Sequence, residues 1–140
     1  MNGMDTDRNP IMQRIPHRAP MLLVDRILSL EEGIRGTGER AIREDDPFLA
    51  GHFPGNPIFP GCLVLEAMAQ MAAIVSGGTQ GNHPQYLAKV DKLRFIRPVR
   101  PGDVLELEAV IERTWGTMAK AHTMARVANE LVASADITAG

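Results

Sequence analysis

Residues 62–75, CLVLEAMAQMAAIV, run without proline or glycine and end at Ser76-Gly77-Gly78. Residue types of this kind favour a helix, and the small-residue run that follows supplies its stop. At 1.5 Å per residue the helix is about 20 Å long. It is apolar on every side apart from Glu66 and Gln70, which predicts a helix enclosed by protein. The seventeen residues ending at Gly61, DDPFLAGHFPGNPIFPG, carry four prolines and three glycines, a density that excludes regular structure. Loops of this length in a compact chain tend to be functional or disordered, and Phe48, Leu49, Phe53, Ile58 and Phe59 argue against disorder.

On the N-terminal side, MLLVDRILSL (21–30) reads as a strand closed by the Glu31–Gly33 turn, with GTGERAI (36–42) as its hairpin partner. A short helical segment is expected at 11–15. On the C-terminal side four segments alternate polar and apolar residues: YLAKVDKLRFIRPV (86–99), VLELEAVIERTW (104–115), TMAKAHTMARVA (117–128) and ELVASADITA (130–139). Pro101-Gly102-Asp103, Gly116 and Asn129-Glu130 separate them. Two strands, an enclosed helix and four more strands describe an α+β domain, an antiparallel sheet wrapped around a central helix.

The 140 residues, 44% hydrophobic and 23% charged, suit one domain with its own core, with residues 1–10 expected as a loose tail. A net charge of −2 gives no general affinity for nucleic acid, and no apolar run has the length of a membrane span. Cys62 is the single cysteine, so no internal disulfide forms, and no cysteine–histidine cluster has zinc-site spacing. The polar opening segment lacks the features of a secretory or transit signal. A cytoplasmic setting is expected.

Glu66 is the informative residue, because a carboxylate on an enclosed apolar helix must be paired, hydrogen-bonded or protonated. Burial raises its expected pKa, and a carboxyl kept protonated can act as a general acid. A structural glutamate bonded to a backbone amide fits the composition equally well. His52 lies in the proline-glycine loop, where Pro54, Pro57 and Pro60 limit flexing and allow a base to be positioned. The helix start at Gly61-Cys62 offers unpaired N–H groups that can hold an oxyanion, although an ordinary helix start looks the same in sequence.

The segment GHFPGNPIFPGCLVLEAMAQ (51–70) resembles, nearly residue for residue, the signature of the bacterial 3-hydroxyacyl-acyl-carrier-protein dehydratases of the FabZ type. IPHRAPMLLVDRI (15–27) and YLAKVDKLRFIRPVRPGD (86–103) extend the likeness along most of the chain. The resemblance implies a hot-dog fold that dimerises into a continuous sheet, commonly as a trimer of dimers, with the acyl chain in a tunnel between protomers. It implies His52 and Glu66 as the catalytic pair, one from each protomer. The N–H groups of Gly61 and Cys62 are then the thioester-oxygen site, and Gln70, one turn on, the residue that orients Glu66. The implied reaction converts a (3R)-3-hydroxyacyl thioester to the trans-2-enoyl thioester. The substrate rides on the phosphopantetheine of acyl carrier protein, with no metal or redox cofactor. In one version His52 takes the C2 proton and Glu66 protonates the leaving hydroxyl; in another His52 handles both protons while Glu66 positions water.

Cys62 departs from this pattern, because the dehydratases usually carry an aliphatic residue there and a sister dehydratase-isomerase family has cysteine. That sister family typically has Asp where this chain has Glu66 and Asn56, which favours the non-isomerising type. Lys89, Lys92, Arg94, Arg97 and Arg100 form a basic run on the 86–99 strand and just past it; residues of equal parity share a face, so Lys92, Arg94 and Arg100 are expected together. Such a patch suits an acidic carrier protein, and a solvated basic face is the plain alternative. His17 is expected to pack, His83 to lie in a loop and His122 on a strand surface. Met68 and Met71 are expected to fill the core. A hot-dog thioesterase and a non-catalytic acyl-binding subunit remain as rival functions.

Overall fold

In the computed structural model, which describes residues 9–77 and 85–140, six strands form one antiparallel sheet. They are β1 (Arg26–Glu31), β2 (Arg35–Ala41), β3 (Leu87–Phe95), β4 (Val104–Trp115), β5 (Met118–Val127) and β6 (Glu130–Ala139). Their order across the sheet is β1-β2-β4-β5-β6-β3. The helix α1 (Gly61–Val75) packs on β2, β4, β5 and β6, giving the hot-dog arrangement. The inward faces alternate as the sequence pattern requires: Leu105, Leu107 and Ala109 on β4, Ala121 and Ala125 on β5, Ala133, Ala135 and Ile137 on β6 are all buried.

Helix and sheet come close because the facing residues are small. A Cβ on Gly36 would lie 2.9 Å from Val75 Cγ2, and one on Gly38 would lie 2.9 Å from Met71 Sδ. The same Cβ positions meet the β1 backbone, Ser29 O at 3.0 Å and Arg26 O at 2.9 Å, so a side chain at either glycine must displace its surroundings. Met68 and Met71 are fully buried beneath this contact, as core filling requires. The helix ends at Ser76, whose N–H bonds the Ala72 carbonyl, and Gly77 follows at φ 100°. The Val75 carbonyl accepts from Gly33 N–H at 2.6 Å, which ties this end to the β1–β2 turn.

Two strands are shorter than the alternation predicts. β1 begins at Arg26, not Met21, because Leu22, Leu23 and Val24 are buried and the Leu23 N–H bonds the Gln70 side chain instead of a strand. β3 ends at Phe95, so Arg97 and Arg100 lie past the strand. Among the described residues the N-terminal helix covers 9–12, so of the expected 11–15 only the first two residues are helical; the rest of the expected tail, and His83, fall outside the described residues.

Enclosure of α1 is incomplete. Val64, Ala67, Met68, Met71, Ile74 and Val75 are buried, but Cys62 is exposed and Glu66, Ala69 and Ala73 are only half-buried. These four positions lie three to four residues apart and form one stripe along the helix.

Candidate active site

Glu66 points from that stripe into a pocket of about 160 Å³ walled mainly by Ile15, His17, Ala69, Ala73, Tyr86 and Leu87. Its Oε1 accepts from Gln70 Nε2 at 3.0 Å and lies 3.3 Å from His17 Nε2. Gln70 is itself fully committed: Nε2 also donates to the Met21 carbonyl at 2.7 Å, and Oε1 accepts from Leu23 N–H at 2.9 Å. The buried extended segment 21–24 therefore fixes Gln70, and Gln70 fixes Glu66 one helical turn away.

This geometry reverses the expected direction of the Glu66 pKa. Burial pushes the carboxyl up, but the hydrogen bonds from His17 and Gln70, with the positive charge of His17, outweigh it and hold the group below the usual glutamate value. The sequence shows the apolar helix around Glu66 and not the two donors aimed at it. His17 is likewise more than a packing residue, since it is folded against the Glu66 carboxylate. Its Nδ1 is buried without a partner, so Glu66 is the polar group that its ring addresses.

His52 is held by a different device. Its Nδ1 pairs with the Ile58 carbonyl at 2.9 Å, its ring stacks on Phe53 at 4.2 Å, and the His52–Phe53 peptide is cis. The loop closes through Phe53 N–H to Asn56 O (3.2 Å), Asn56 N–H to Phe53 O (2.9 Å) and Ile58 N–H to His52 O (2.7 Å). With Nδ1 engaged by a carbonyl, Nδ1 carries the proton in the neutral ring and Nε2 keeps its lone pair for a substrate. His52 is not among the residues lining the cavity of Glu66. Within one chain the two side chains belong to separate places.

The start of α1 lies beside a second, apolar cavity of about 290 Å³ lined by Ile58, Gly61, Val64, Phe95 and Val132 among others. Pro60 precedes the helix and no side chain caps it. The Leu63 and Val64 N–H groups bond the Pro60 carbonyl at 2.9 and 3.1 Å, which leaves the Gly61 and Cys62 N–H groups as the two that helix geometry does not pair. The space that glycine opens at position 61 is taken by the Phe95 ring, 3.2 Å from where a Cβ would sit. A ligand reaching these N–H groups therefore meets Phe95, which is half-exposed.

The basic run is not one surface. A register shift between Asp91 and Arg94 puts two β3 residues, Lys92 and Leu93, opposite one of β6, Ala135, and Lys92 takes φ 54°, so the parity argument does not carry across the bulge. Lys92 Nζ lies 3.9 Å from Asp136 Oδ2. Arg97 sits at the apolar cavity within 4.0 Å of Asp103 and 3.6 Å of Glu130. Arg94 and Arg100 are exposed. On the sheet face away from α1, Glu112, His122 and Asp136 bring donor atoms within 4.8 Å of one another. Glu112 faces Lys120 at 3.5 Å and Asp136 pairs with His122 Nδ1 at 2.7 Å, so the cluster reads as a row of polar pairs.

A FabA-like domain model matches residues 15–136. The chain is 46% identical to the 3-hydroxyacyl-[acyl-carrier-protein] dehydratase FabZ of Desulforamulus reducens, with 94% of each chain covered. It is 45% identical to the FabZ of Chloroflexus aggregans, covering 91% of this chain and 90% of that one. Among solved structures, the dehydratase heterocomplex ApeI:P from Xenorhabdus doucetiae superposes with a TM-score of 0.80 over 93% of this chain and 89% of that chain, at 18% identity, which is a likeness of fold. A two-strand, helix, four-strand sheet rolled around a carboxylate-bearing helix, matched at this identity over nearly the whole length, places the chain in the FabZ-type 3-hydroxyacyl-acyl-carrier-protein dehydratase family.

Proposed function

We propose that this chain removes water from (3R)-3-hydroxyacyl thioesters carried on acyl carrier protein, giving trans-2-enoyl thioesters in fatty-acid synthesis or a related acyl-chain pathway. The observation that carries the reading is Glu66, an ionised carboxylate held by two donors at an apolar cavity, in a chain of this family. His52 Nε2 takes the C2 proton while the Gly61 and Cys62 N–H groups receive the charge that develops on the thioester oxygen. The C3–O bond then breaks, the imidazolium returns its proton to the departing oxygen, and water leaves as the double bond forms. Glu66 accepts a hydrogen bond from the 3-hydroxyl and orients it. A carboxylate held below the usual glutamate range is a poor proton donor at neutral pH, so both proton steps fall to His52. These steps use only protein groups and the thioester.

We assign the complete site to a homodimer. β3 is an edge strand with Leu87, Leu93, Phe95 and Ile96 exposed beside it, and an apolar unpaired edge favours pairing with a second copy. Pairing two copies at β3 extends the sheet and covers the half-exposed stripe of α1, bringing the His52 loop of one protomer to Glu66 of the other. A trimer of such dimers is the higher assembly that the family suggests. The exposed Arg94 and Arg100 are the groups offered to the acidic carrier, Lys92 lying across the bulge; Arg97 serves the cavity wall. The free thiol of Cys62 suits a cytoplasmic setting.

Purified protein incubated with 3-hydroxyacyl-carrier substrates of several lengths is expected to give products lighter by one water, read by mass spectrometry. Free acid with unacylated carrier would instead identify a thioesterase. Unchanged substrate would identify a binding subunit, and cis-3-enoyl product at a comparable rate an isomerase.

A further inference from the structure

Arg40 is a charge facing inward on β2, paired in register with Leu105 on β4 and only 5% exposed. Such a side chain is costly to bury, and a buried ion pair replaced as a whole by apolar residues of similar volume often shows no loss of stability. Its contacts converge on the two ends of one loop. The guanidinium bonds Asp46 Oδ2 through Nη2, and its carbon lies 5.8 Å above the Phe59 ring. Asp46 and Phe59 are themselves buried, and they bracket the segment that carries His52. Phe48, inside that segment, meets Phe59 edge to face at 6.5 Å. Arg40 Nη1 is also 3.5 Å from Asp25, whose Oδ2 accepts from Ala41 N–H at 2.8 Å, so the guanidinium is tied to the strand that presents it. A planar guanidinium can pair with a carboxylate at its edge while its face rests on an aromatic ring, and an ammonium cannot do both.

We propose that Arg40 is a positioning residue for His52. It clamps Asp46 to Phe59 and so fixes the base of the loop, whose inner bonds, Ile58 N–H to His52 O and His52 Nδ1 to Ile58 O, then set where Nε2 points. The inference rests on His52 being the base proposed above. It predicts an effect on turnover greater than any effect on substrate binding, because a base displaced by about 1 Å can lose about 100-fold in rate.

The test compares three variants with the unmodified protein. Arg40→Lys keeps the charge and removes the planar contact. Arg40→Met combined with Asp46→Leu removes both charges together and leaves no carboxylate at 46 unpaired. His52→Ala reports on the underlying reading. Each is measured for kcat and KM on a 3-hydroxyacyl thioester, folded fraction by circular dichroism, melting temperature, and the His52 imidazole C2–H signal by proton NMR. The expected result is a folded double variant with kcat lowered between about 10- and 100-fold, KM changed little, and a shifted or broadened His52 signal. Arg40→Lys should lie between the two. If the double variant folds with kcat within twofold of the unmodified protein and an unchanged His52 signal, the proposal is overturned. If that variant does not fold, Arg40→Lys decides: unchanged kcat in that folded protein also overturns it. An active His52→Ala protein would remove the reading beneath it, whereas an inactive one beside a fully active Arg40 variant would remove only the positioning role.

Discussion

Glu66 and His52 sit on opposite kinds of support. Glu66 stands on a regular helix, yet the groups that orient it arrive from far along the chain: Gln70 is fixed by Met21 and Leu23, 49 and 47 positions away, and His17 closes on the same oxygen. His52 stands on an irregular loop, yet its ring is oriented by a carbonyl six positions on and by short-range bonds within the loop. The carboxylate depends on the folded core for its direction and charge. The imidazole depends on its loop for direction, and the loop is anchored to the core at its ends through Arg40 and in between by buried Leu49. Each is finished on its own side of the molecule, and the cavity of one does not include the other.

The sharpest way to break this comparison is to disable each half separately and then mix them. His52→Ala and Glu66→Gln are each expected to lower kcat by at least about 100-fold, within the range for loss of acid–base groups, with the circular dichroism spectrum unchanged. If the halves meet across a dimer, unfolding the two inactive proteins together and refolding them makes about half the dimers mixed, and each mixed dimer holds one intact site. Activity should return to roughly a quarter of the unmodified level. Recovery no better than the separate variants would put both residues in the same chain's site.

A smaller effect sharpens the account of the Glu66 side. In His17→Ala the hydrogen bond and the charge that lower the Glu66 pKa are lost, leaving burial opposed by Gln70 alone. The Glu66 pKa, followed by NMR of its side-chain carboxyl carbon, should rise, and kcat at neutral pH should fall about tenfold, the low end for one hydrogen bond to a charged group. The stability consequence has a fixed sign. A carboxyl depressed in the folded state stabilises above its unfolded pKa and loses that contribution as pH falls through the folded value. The melting-temperature advantage of the unmodified protein over His17→Ala should thus be full at pH 7 and shrink on acidification past the usual glutamate range. A gap independent of pH, with an unmoved Glu66 titration, returns His17 to packing.

The smallest effect belongs to the surface. Arg94→Glu should weaken turnover of carrier-bound substrate severalfold more than that of a small pantetheine analogue, and the difference should fade as salt rises. Arg97→Glu, at the cavity wall with two acidic neighbours, should affect both substrates alike. Equal losses for Arg94→Glu would move the carrier surface elsewhere.

The local code determined a great deal here. The helix over Gly61–Val75, the strands over 104–115 and 130–139, and the loop with His52 could all be read in advance, because helix propensity, two-residue alternation and proline-glycine punctuation act over a few residues. Glu66 and Gln70 were visible for the same reason, as the two polar positions on an apolar helix. Contacts between distant segments were not visible. Nothing near Leu23 announces that its N–H goes to Gln70 and shortens β1, and nothing near Lys92 announces the bulge that disrupts the basic face. The charge state of Glu66 is the clearest case. Its helix predicts burial and a raised pKa, whereas His17 and Gln70, brought to one oxygen by the tertiary fold, supply two hydrogen bonds and a charge that together exceed the cost of burial. An ionisation equilibrium is set by what surrounds a group in space, and the sequence orders only its neighbours along the chain.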